Sequence, residues 1–311
     1  MAWEGFGGIV LSGGWGSLNA GRSKMIEKVE VDGRRKPMVK AVFDLLSDRL
    51  DIFPIAVVDN NYFVTDGMGN YGYRKDGQIY HVSGSGERCL SMKNESCYTG
   101  QIRNLFTNYT DDLFITQIDR FGTAGAVELC YPILDGMGKS WGNEVEDIIV
   151  LYGDMPFISA SSLMRLVLAH KRSSEQNVMT MFSVKLDEAT PECVKKFGRI
   201  GRDRRGRIIA IGEPFELDNV ELARATHVNP SVWIFKKYFL KREIQKLPWH
   251  DKSDNHHRER ILPDLVGTVR WCKGETITEI PLANPMEVVG INDMNDYNCY
   301  YQGIKKVEYA A

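Results

Sequence analysis

Four glycines and two cations are packed into Leu11-Ser-Gly-Gly-Trp-Gly-Ser-Leu-Asn-Ala-Gly-Arg-Ser-Lys24. Glycines let backbone N–H groups close on an anion without Cβ obstruction, and a nearby cation completes a phosphate site. Three functional readings stand beside that of a plain turn. A dinucleotide-binding fingerprint would need glycine where Asn19 stands. An ATPase-type phosphate loop fits Gly16-x-x-x-x-Gly21-Arg22-Ser23, except that arginine replaces the lysine. Lysine reaches the β- and γ-phosphates as a point charge, and arginine is no free substitute. The third reading is a nucleotide-binding loop in which Lys24 faces the phosphates.

One further residue has the chemistry of a metal ligand. Asp154 follows the apolar run Asp147 to Leu151, just past Tyr152 and Gly153. A carboxylate beyond the carboxyl end of a parallel strand suits Mg2+, a hard cation that takes oxygen ligands. Asn292 follows a second apolar run, Val288 to Ile291. The plainer alternatives are a helix cap for Asp154 and a turn residue for Asn292. Gln117 has an amide that could read a base edge or face water. His256 and His257 are adjacent, and on a helix such neighbours point about 100° apart. They suit a solvated loop better than a shared ion.

These residues need strand ends and turns to hold them. Gly8–Leu11, Ile55–Val58, Asp147–Leu151 and Asn177–Val184 read as buried strands. Pro37–Leu50 and Thr123–Leu134 read as helices, and Ser159 or Ser161 caps a third through Leu163, Leu166 and Leu168. Their alternation predicts an α/β fold with a mostly parallel sheet. The strand-like pieces between Gly198 and Phe235 predict antiparallel strands at one end of it. Arg202 to Arg207 reads as a charged hairpin turn. Residues Tyr62 to Thr116 are rich in Gly, Ser, Asn and Tyr, with a hairpin about Lys75-Asp76-Gly77. They read as a structured insertion within a single domain spanning residues 1–311.

Composition bounds the function. The chain has 311 residues, 43% hydrophobic and 26% charged, with net charge -2. No global basic field offers itself to nucleic acid. No stretch approaches the ~20 apolar residues of a membrane helix. The six cysteines are scattered without a C-x-x-C pair, which argues against zinc or a disulfide framework. The expectation is a cytoplasmic protein with no membrane or nucleic-acid partner. A homo-oligomer is compatible with the sequence.

Four more segments decide among the loop readings: Gln117-Ile-Asp-Arg-Phe-Gly-Thr-Ala-Gly-Ala126, Leu151-Tyr-Gly-Asp-Met-Pro-Phe-Ile158, Phe197-Gly-Arg-Ile200 with Ile211-Gly-Glu213, and Val289-Gly-Ile-Asn-Asp293. With the glycine loop, this ordered set resembles the sugar-1-phosphate nucleotidyltransferases, above all the pyrophosphorylase domain of N-acetylglucosamine-1-phosphate uridylyltransferase. The resemblance runs from residue 8 to about residue 300. It implies a Rossmann-like mixed sheet flanked by helices, of the GT-A-like kind, with a smaller antiparallel sugar-binding subregion. It implies that Leu11, Ser12, Gly13, Gly14 and Gly16 cradle base and phosphates, and that Lys24 faces the phosphates. Gln117 corresponds to the uracil reader, with Gly122, Thr123, Tyr152 and Gly153 completing the nucleotide pocket. Asp154 and Asn292 correspond to the Mg2+ ligands, and Gly198, Glu213 and Asn229 to sugar contacts.

The implied reaction joins UTP to a sugar 1-phosphate, first of all N-acetylglucosamine 1-phosphate, and releases pyrophosphate. Departures from the family pattern qualify this. Leu18 stands where the loop arginine clamps the triphosphate, and Arg22 is the candidate to replace it. Ser23 replaces a proline, and Asn229-Pro230-Ser231 replaces the Asn-Thr-Gly sugar motif. No hexapeptide-repeat β-helix follows, so acetyl transfer is not expected. Two alternatives stay open: another nucleotide or acceptor phosphate, and a nucleotide-sugar-binding protein without turnover.

Overall fold

The computed structural model describes residues 4–13, 24–59, 71–75, 78–83, 86–90, 102, 104–106, 114–117, 122–141, 144–188, 190–212, 222, 224–251 and 258–308. The first strands are β1 (Phe6–Leu11), β2 (Lys28–Val31), β3 (Arg34–Pro37), β4 (Pro54–Asp59), β5 (Tyr71–Lys75), β6 (Gln78–Ser83), β7 (Gly86–Leu90), β8 (Phe114–Gln117) and β9 (Asp147–Tyr152). After them come β10 (Asn177–Lys185), β11 (Gly198–Arg202), β12 (Ile208–Gly212), β13 (His227–Asn229), β14 (Trp233–Lys236), β15 (His250–Asp251), β16 (Arg258–Glu259) and β17 (Thr276–Pro281). The α-helices are α1 (Met38–Asp44), α2 (Gly122–Glu128), α3 (Tyr131–Trp141), α4 (Ala160–Arg172), α5 (Glu192–Lys195), α6 (Lys237–Glu243) and α7 (Met294–Glu308).

The main sheet runs β12-β11-β13-β10-β14-β9-β1-β4-β8, and β17 pairs with β10. The ladders β9–β1, β1–β4, β4–β8 and β10–β17 are parallel, while β14, β13 and β12 run against the rest. The expected mostly parallel sheet with an antiparallel end is therefore present. β5, β6 and β7 form a separate antiparallel sheet inside the 62–116 segment.

The strands are strands because their apolar residues are buried on both faces. Val10, Ile149 and Leu151 pack into one layer with Phe43, Leu46, Leu163 and Leu166. Ile9, Leu11, Ile148 and Val150 pack into the other with Val127, Leu134, Phe239 and Leu240. Helices α1 and α4 thus cover one face, and α2, α3 and α6 the other. Each such fully buried side chain stabilises the fold by roughly 1.5–3 kcal/mol.

Two helix expectations need correction. The segment 123–134 is broken at Leu129-Cys130 into α2 and α3. Pro132 has no N–H for the carbonyl of Glu128 and clashes with an uninterrupted helix, so the chain restarts there. The helix after Pro37 ends its α-helical turns at Asp44 and continues as a π-helical turn, Leu45–Arg49. Ser159 is the cap of α4, its hydroxyl accepting from the Ser162 backbone N–H at 3.1 Å.

Candidate active site

The carboxyl ends of the parallel strands meet where the glycine loop begins. Leu11 stands opposite Val57 on one side and Tyr152 on the other. The Ser12 N–H donates to the Val57 carbonyl at 2.8 Å, and the Gly153 N–H donates to the Leu11 carbonyl at 2.9 Å. A Cβ on Gly153 would come 2.8 Å from Ser12 Oγ and 3.3 Å from Met25 Sδ, so this contact requires glycine. Gly153 therefore lets the Asp154 turn lie directly against the loop.

Lys24, Asp154 and Asn292 converge there. Lys24 Nζ donates to Asp154 Oδ2 at 2.6 Å and to Asn292 Oδ1 at 2.5 Å. Lys24 is 3% exposed and Asp154 8%. The two acceptors come from distant segments fixed to each other by the backbone, since the Ile291 N–H donates to the Asp154 carbonyl at 3.0 Å. Asp154 Oδ1 is buried with no hydrogen-bond partner among the described residues. Such an atom costs about 1–3 kcal/mol unless a ligand satisfies it. A carboxylate with one oxygen to spare, next to an amide oxygen, is a hard-oxygen donor pair that fits Mg2+.

Asn292 precedes the cap of α7. Asp293 Oδ1 accepts from the backbone N–H groups of Asn295 and Asp296 at 2.8 and 2.9 Å. The Asp296 bond, and then that of Asn295, hold the Asp293 carboxyl below the usual carboxylate range. Asp296 Oδ2 in turn accepts from the Asn292 N–H at 3.0 Å. Sequence reasoning passed over Asp296, although acids at the cap and three residues on, Asp293 and Asp296, were legible as a helix start.

The residues expected to meet a nucleotide gather at β8 and α2. Gln117 is buried, and its Nε2 donates to the Gly122 carbonyl at 3.2 Å. Gly122 has φ 74, and a Cβ there would lie 2.4 Å from the Arg260 carbonyl oxygen. The same carbonyl accepts from the Ala124 N–H, and Thr123 Oγ1 accepts from the Leu262 N–H at 3.0 Å. The Tyr152 phenol lies within hydrogen-bond reach of the Thr123 and Ser231 hydroxyls, and burial pushes its pKa up.

The sugar-side candidates Gly198 and Asn229 stand opposite each other on β11 and β13. A Cβ on Gly198 would meet Ile211 Cγ2 at 2.9 Å. Asn229 is 2% exposed and its amide is engaged internally. Its Nδ2 donates to the Phe182 carbonyl at 3.3 Å, and its Oδ1 accepts from the Ser231 N–H at 2.9 Å. That bond supports Ser231 at φ 59. Gly13 is described as an exposed residue at the start of the loop. Gly14, Gly16, Leu18, Arg22, Glu213, His256 and His257 lie outside the described residues. Arg202 to Arg207 forms the turn between β11 and β12, with Arg202 paired to Glu279. Among the described residues no helix is long and apolar enough to cross a membrane.

No protein-family model matches the chain. The chain is similar to the bifunctional protein GlmU of Geotalea daltonii, 28% identical over 193 residues, 62% of this chain and 38% of that protein. It is 31% identical to GlmU of Geotalea uraniireducens over 193 residues, with the same coverage, 62% and 38%. GlmU of Thermosipho africanus is 32% identical over 178 residues, 57% of this chain and 33% of that protein. The chain thus matches less than half the length of these curated relatives. Among solved structures, the inositol-1-phosphate CTP transferase from T. maritima has a TM-score of 0.53 at 13% identity, covering 96% of both chains. CMP:2-keto-3-deoxy-manno-octonic acid synthetase complexed with CTP has a TM-score of 0.52 at 11% identity, covering 98% of this chain and 99% of that one. At these identities the likeness is one of fold. The resemblance to sugar nucleotidyltransferases carried by the motifs is thus borne out in sequence by the GlmU relatives, and the two solved structures share the fold.

Proposed function

We propose that the chain is a nucleotidyltransferase that joins a nucleoside triphosphate, UTP first, to a sugar 1-phosphate, with N-acetylglucosamine 1-phosphate the leading acceptor. The observation that carries this is the convergence of Lys24, Asp154 and Asn292 at the strand ends, with Asp154 Oδ1 left unsatisfied. The acceptor's phosphate oxygen attacks the α-phosphorus, and pyrophosphate leaves with the electron pair of the broken P–O bond. The nucleophile is already anionic near neutral pH, so no general base is needed, and catalysis is positioning plus charge neutralisation. Mg2+ held by Asp154 and Asn292 would supply charge neutralisation for the phosphates of both substrates. Lys24 adds a monovalent charge to the transferring group. Gln117 presents its amide to the base, the backbone of Leu11 to Gly13 lines the triphosphate, and Gly198 admits the sugar against β11. Arg22 and Glu213 are assigned to phosphate and sugar hydroxyls on the resemblance alone.

A screen of pyrophosphate release across nucleoside triphosphates and sugar phosphates tests the assignment. UTP with N-acetylglucosamine 1-phosphate is expected to give the highest rate, and Asp154→Asn to lower it by about 10²–10³-fold. Near-normal turnover in that variant defeats the cation assignment. Nucleotide-sugar binding without pyrophosphate release would favour the alternative of a non-catalytic binding protein. Leu18 in the place of the clamping arginine is the observation behind that alternative.

A further inference from the structure

We infer that Asp296 is a positioning residue for Asn292, and that it ties the candidate cation site to the chain entering the sugar-facing strand; this rests on the transferase reading. Asp296 sits in the first turn of α7, after the Asp293 cap. In an ordinary capping box the acid at this position reaches back to the backbone N–H of the cap residue. Here it reaches one residue further. Its Oδ2 accepts from the Asn292 N–H at 3.0 Å, while the cap aspartate itself serves the N–H groups of residues 295 and 296. Asn292 is therefore held from both sides. Its predecessor Ile291 donates to the Asp154 carbonyl, and its own N–H is clipped to the helix. From that fixed backbone the Asn292 amide oxygen meets the Asp154 carboxylate on the Lys24 ammonium.

The other oxygen of Asp296 does a second task. Asp296 Oδ1 lies 3.5 Å from Lys196 Nζ. Lys196 is the C-cap of α5, two residues before Gly198 opens β11. The Lys196 side chain is 66% exposed, so this arm of the clip is weak and solvent-screened. The Asp296 side chain is 8% exposed, and its bond to Asn292 is the stronger arm. Partners that orient a metal ligand from behind commonly change affinity or activity by about 10–100-fold when removed.

The test uses the whole chain and two readouts. Amide hydrogen exchange at Asn292 is measured in metal-free protein. Mn2+ affinity in the presence of UTP is measured by electron paramagnetic resonance. Asp296→Ala is expected to speed exchange at Asn292 at least about tenfold and to weaken Mn2+ binding by about 10-fold or more. Asp296→Asn keeps an acceptor for the N–H and loses only the charge facing Lys196. It is expected to retain slow exchange and Mn2+ affinity within about threefold of wild type, a rescue that a general packing role would not give. Should Asp296→Ala fail to fold, Asp296→Ser replaces it, since its hydroxyl is too short to span the turn. Unchanged exchange at Asn292, or unchanged Mn2+ affinity in a folded Ala or Ser variant, overturns the inference while leaving the transferase reading intact. Wild-type protein that takes up no Mn2+ with UTP or any other nucleoside triphosphate overturns the transferase reading, and with it the role assigned to Asp296.

Discussion

Replacing Lys24 with methionine isolates the charge balance of the site from its chemistry. Lys24 is the side chain that bonds Asp154 among the described residues, and both are nearly enclosed, at 3% and 8% exposure. Methionine keeps the apolar stem and leaves a buried carboxylate without its counter-charge. Breaking a buried pair on one side costs about 3–5 kcal/mol, and the residual exposure of Asp154 places this case near ~3. For a chain of 311 residues, an unfolding entropy of ~2.1 cal/mol/K per residue gives about 0.65 kcal/mol/K. Lys24→Met should therefore melt about 5 °C below wild type in EDTA. Removing the charge on both sides is often close to neutral, so Lys24→Met with Asp154→Asn should regain most of the loss. Mg2+ should also stabilise the single variant more than wild type, its whole effect on the variant being about 2.7 kcal/mol at a hundredfold excess over the dissociation constant. Differential scanning calorimetry on the four proteins, with and without Mg2+, reads every term. The reasoning fails if Lys24→Met melts within about 1 °C of wild type, or if the two single losses simply add in the double variant.

Three further substitutions probe the frame. Gly122→Ala puts a Cβ 2.4 Å from the Arg260 carbonyl at φ 74, so it should lose about 1–3 kcal/mol in a thermal melt, and an unchanged melting point would contradict the strain. Asn229→Ala should lower the melting point while leaving the KM for the sugar phosphate within about threefold, because its amide bonds are spent on Phe182 and Ser231; a tenfold KM change at constant stability would make it a sugar contact instead. Burial alone would raise the Asp147 carboxyl, but the hydrogen bond and charge of His170, together with Lys236, outweigh it and hold the group below the usual carboxylate range. A depressed folded pKa contributes stability above the unfolded value of about 3.9 that is lost as pH falls through the folded value. Asp147→Asn should thus melt below wild type at pH 7, with the gap closing in melts taken below about pH 4.

The parallel half of the fold was legible because buried parallel strands are written as unbroken apolar runs, and β1, β4, β9 and β10 all lie within two residues of theirs. β17 was not, because Thr276–Pro281 has neither an unbroken apolar run nor a strict alternation and is only half-buried up to its exposed Pro281, held by its long parallel ladder with β10 rather than by local pattern. The break at Leu129-Cys130 was in principle readable from Pro132. Lys24, Asp154 and Asn292 could be named from motif context. Nothing local says that the lysine bonds both acceptors, since that depends on segments 130 and 268 residues away. The internal bonding of Asn229 was hidden for the same reason: Phe182 reaches it only through the register of β10 against β13.

The change of strand direction at β9 explains why the site lies where it does. On one side, β8, β4, β1 and β9 all deliver carboxyl ends to the same edge, so Gln117, Ser12 and the Tyr152–Asp154 turn arrive together. On the other, the reversed strands β14 and β13, with β11 paired antiparallel to β13, bring Ser231, Asn229 and Gly198 alongside. The Tyr152 phenol, flanked by the Thr123 and Ser231 hydroxyls, spans the seam. At that seam the lysine ammonium bonds the other oxygen of the Asp154 carboxylate and the Asn292 amide oxygen assigned to the cation. A dication and an ammonium about 4 Å apart repel by roughly 8 kcal/mol at an effective dielectric of ~20. On the proposed reading the two therefore coexist only when the polyphosphate supplies compensating negative charge, which draws Lys24 from the carboxylate. On that reading Lys24 balances the Asp154 charge in the free site, and affinity for the cation is conditional on the nucleotide.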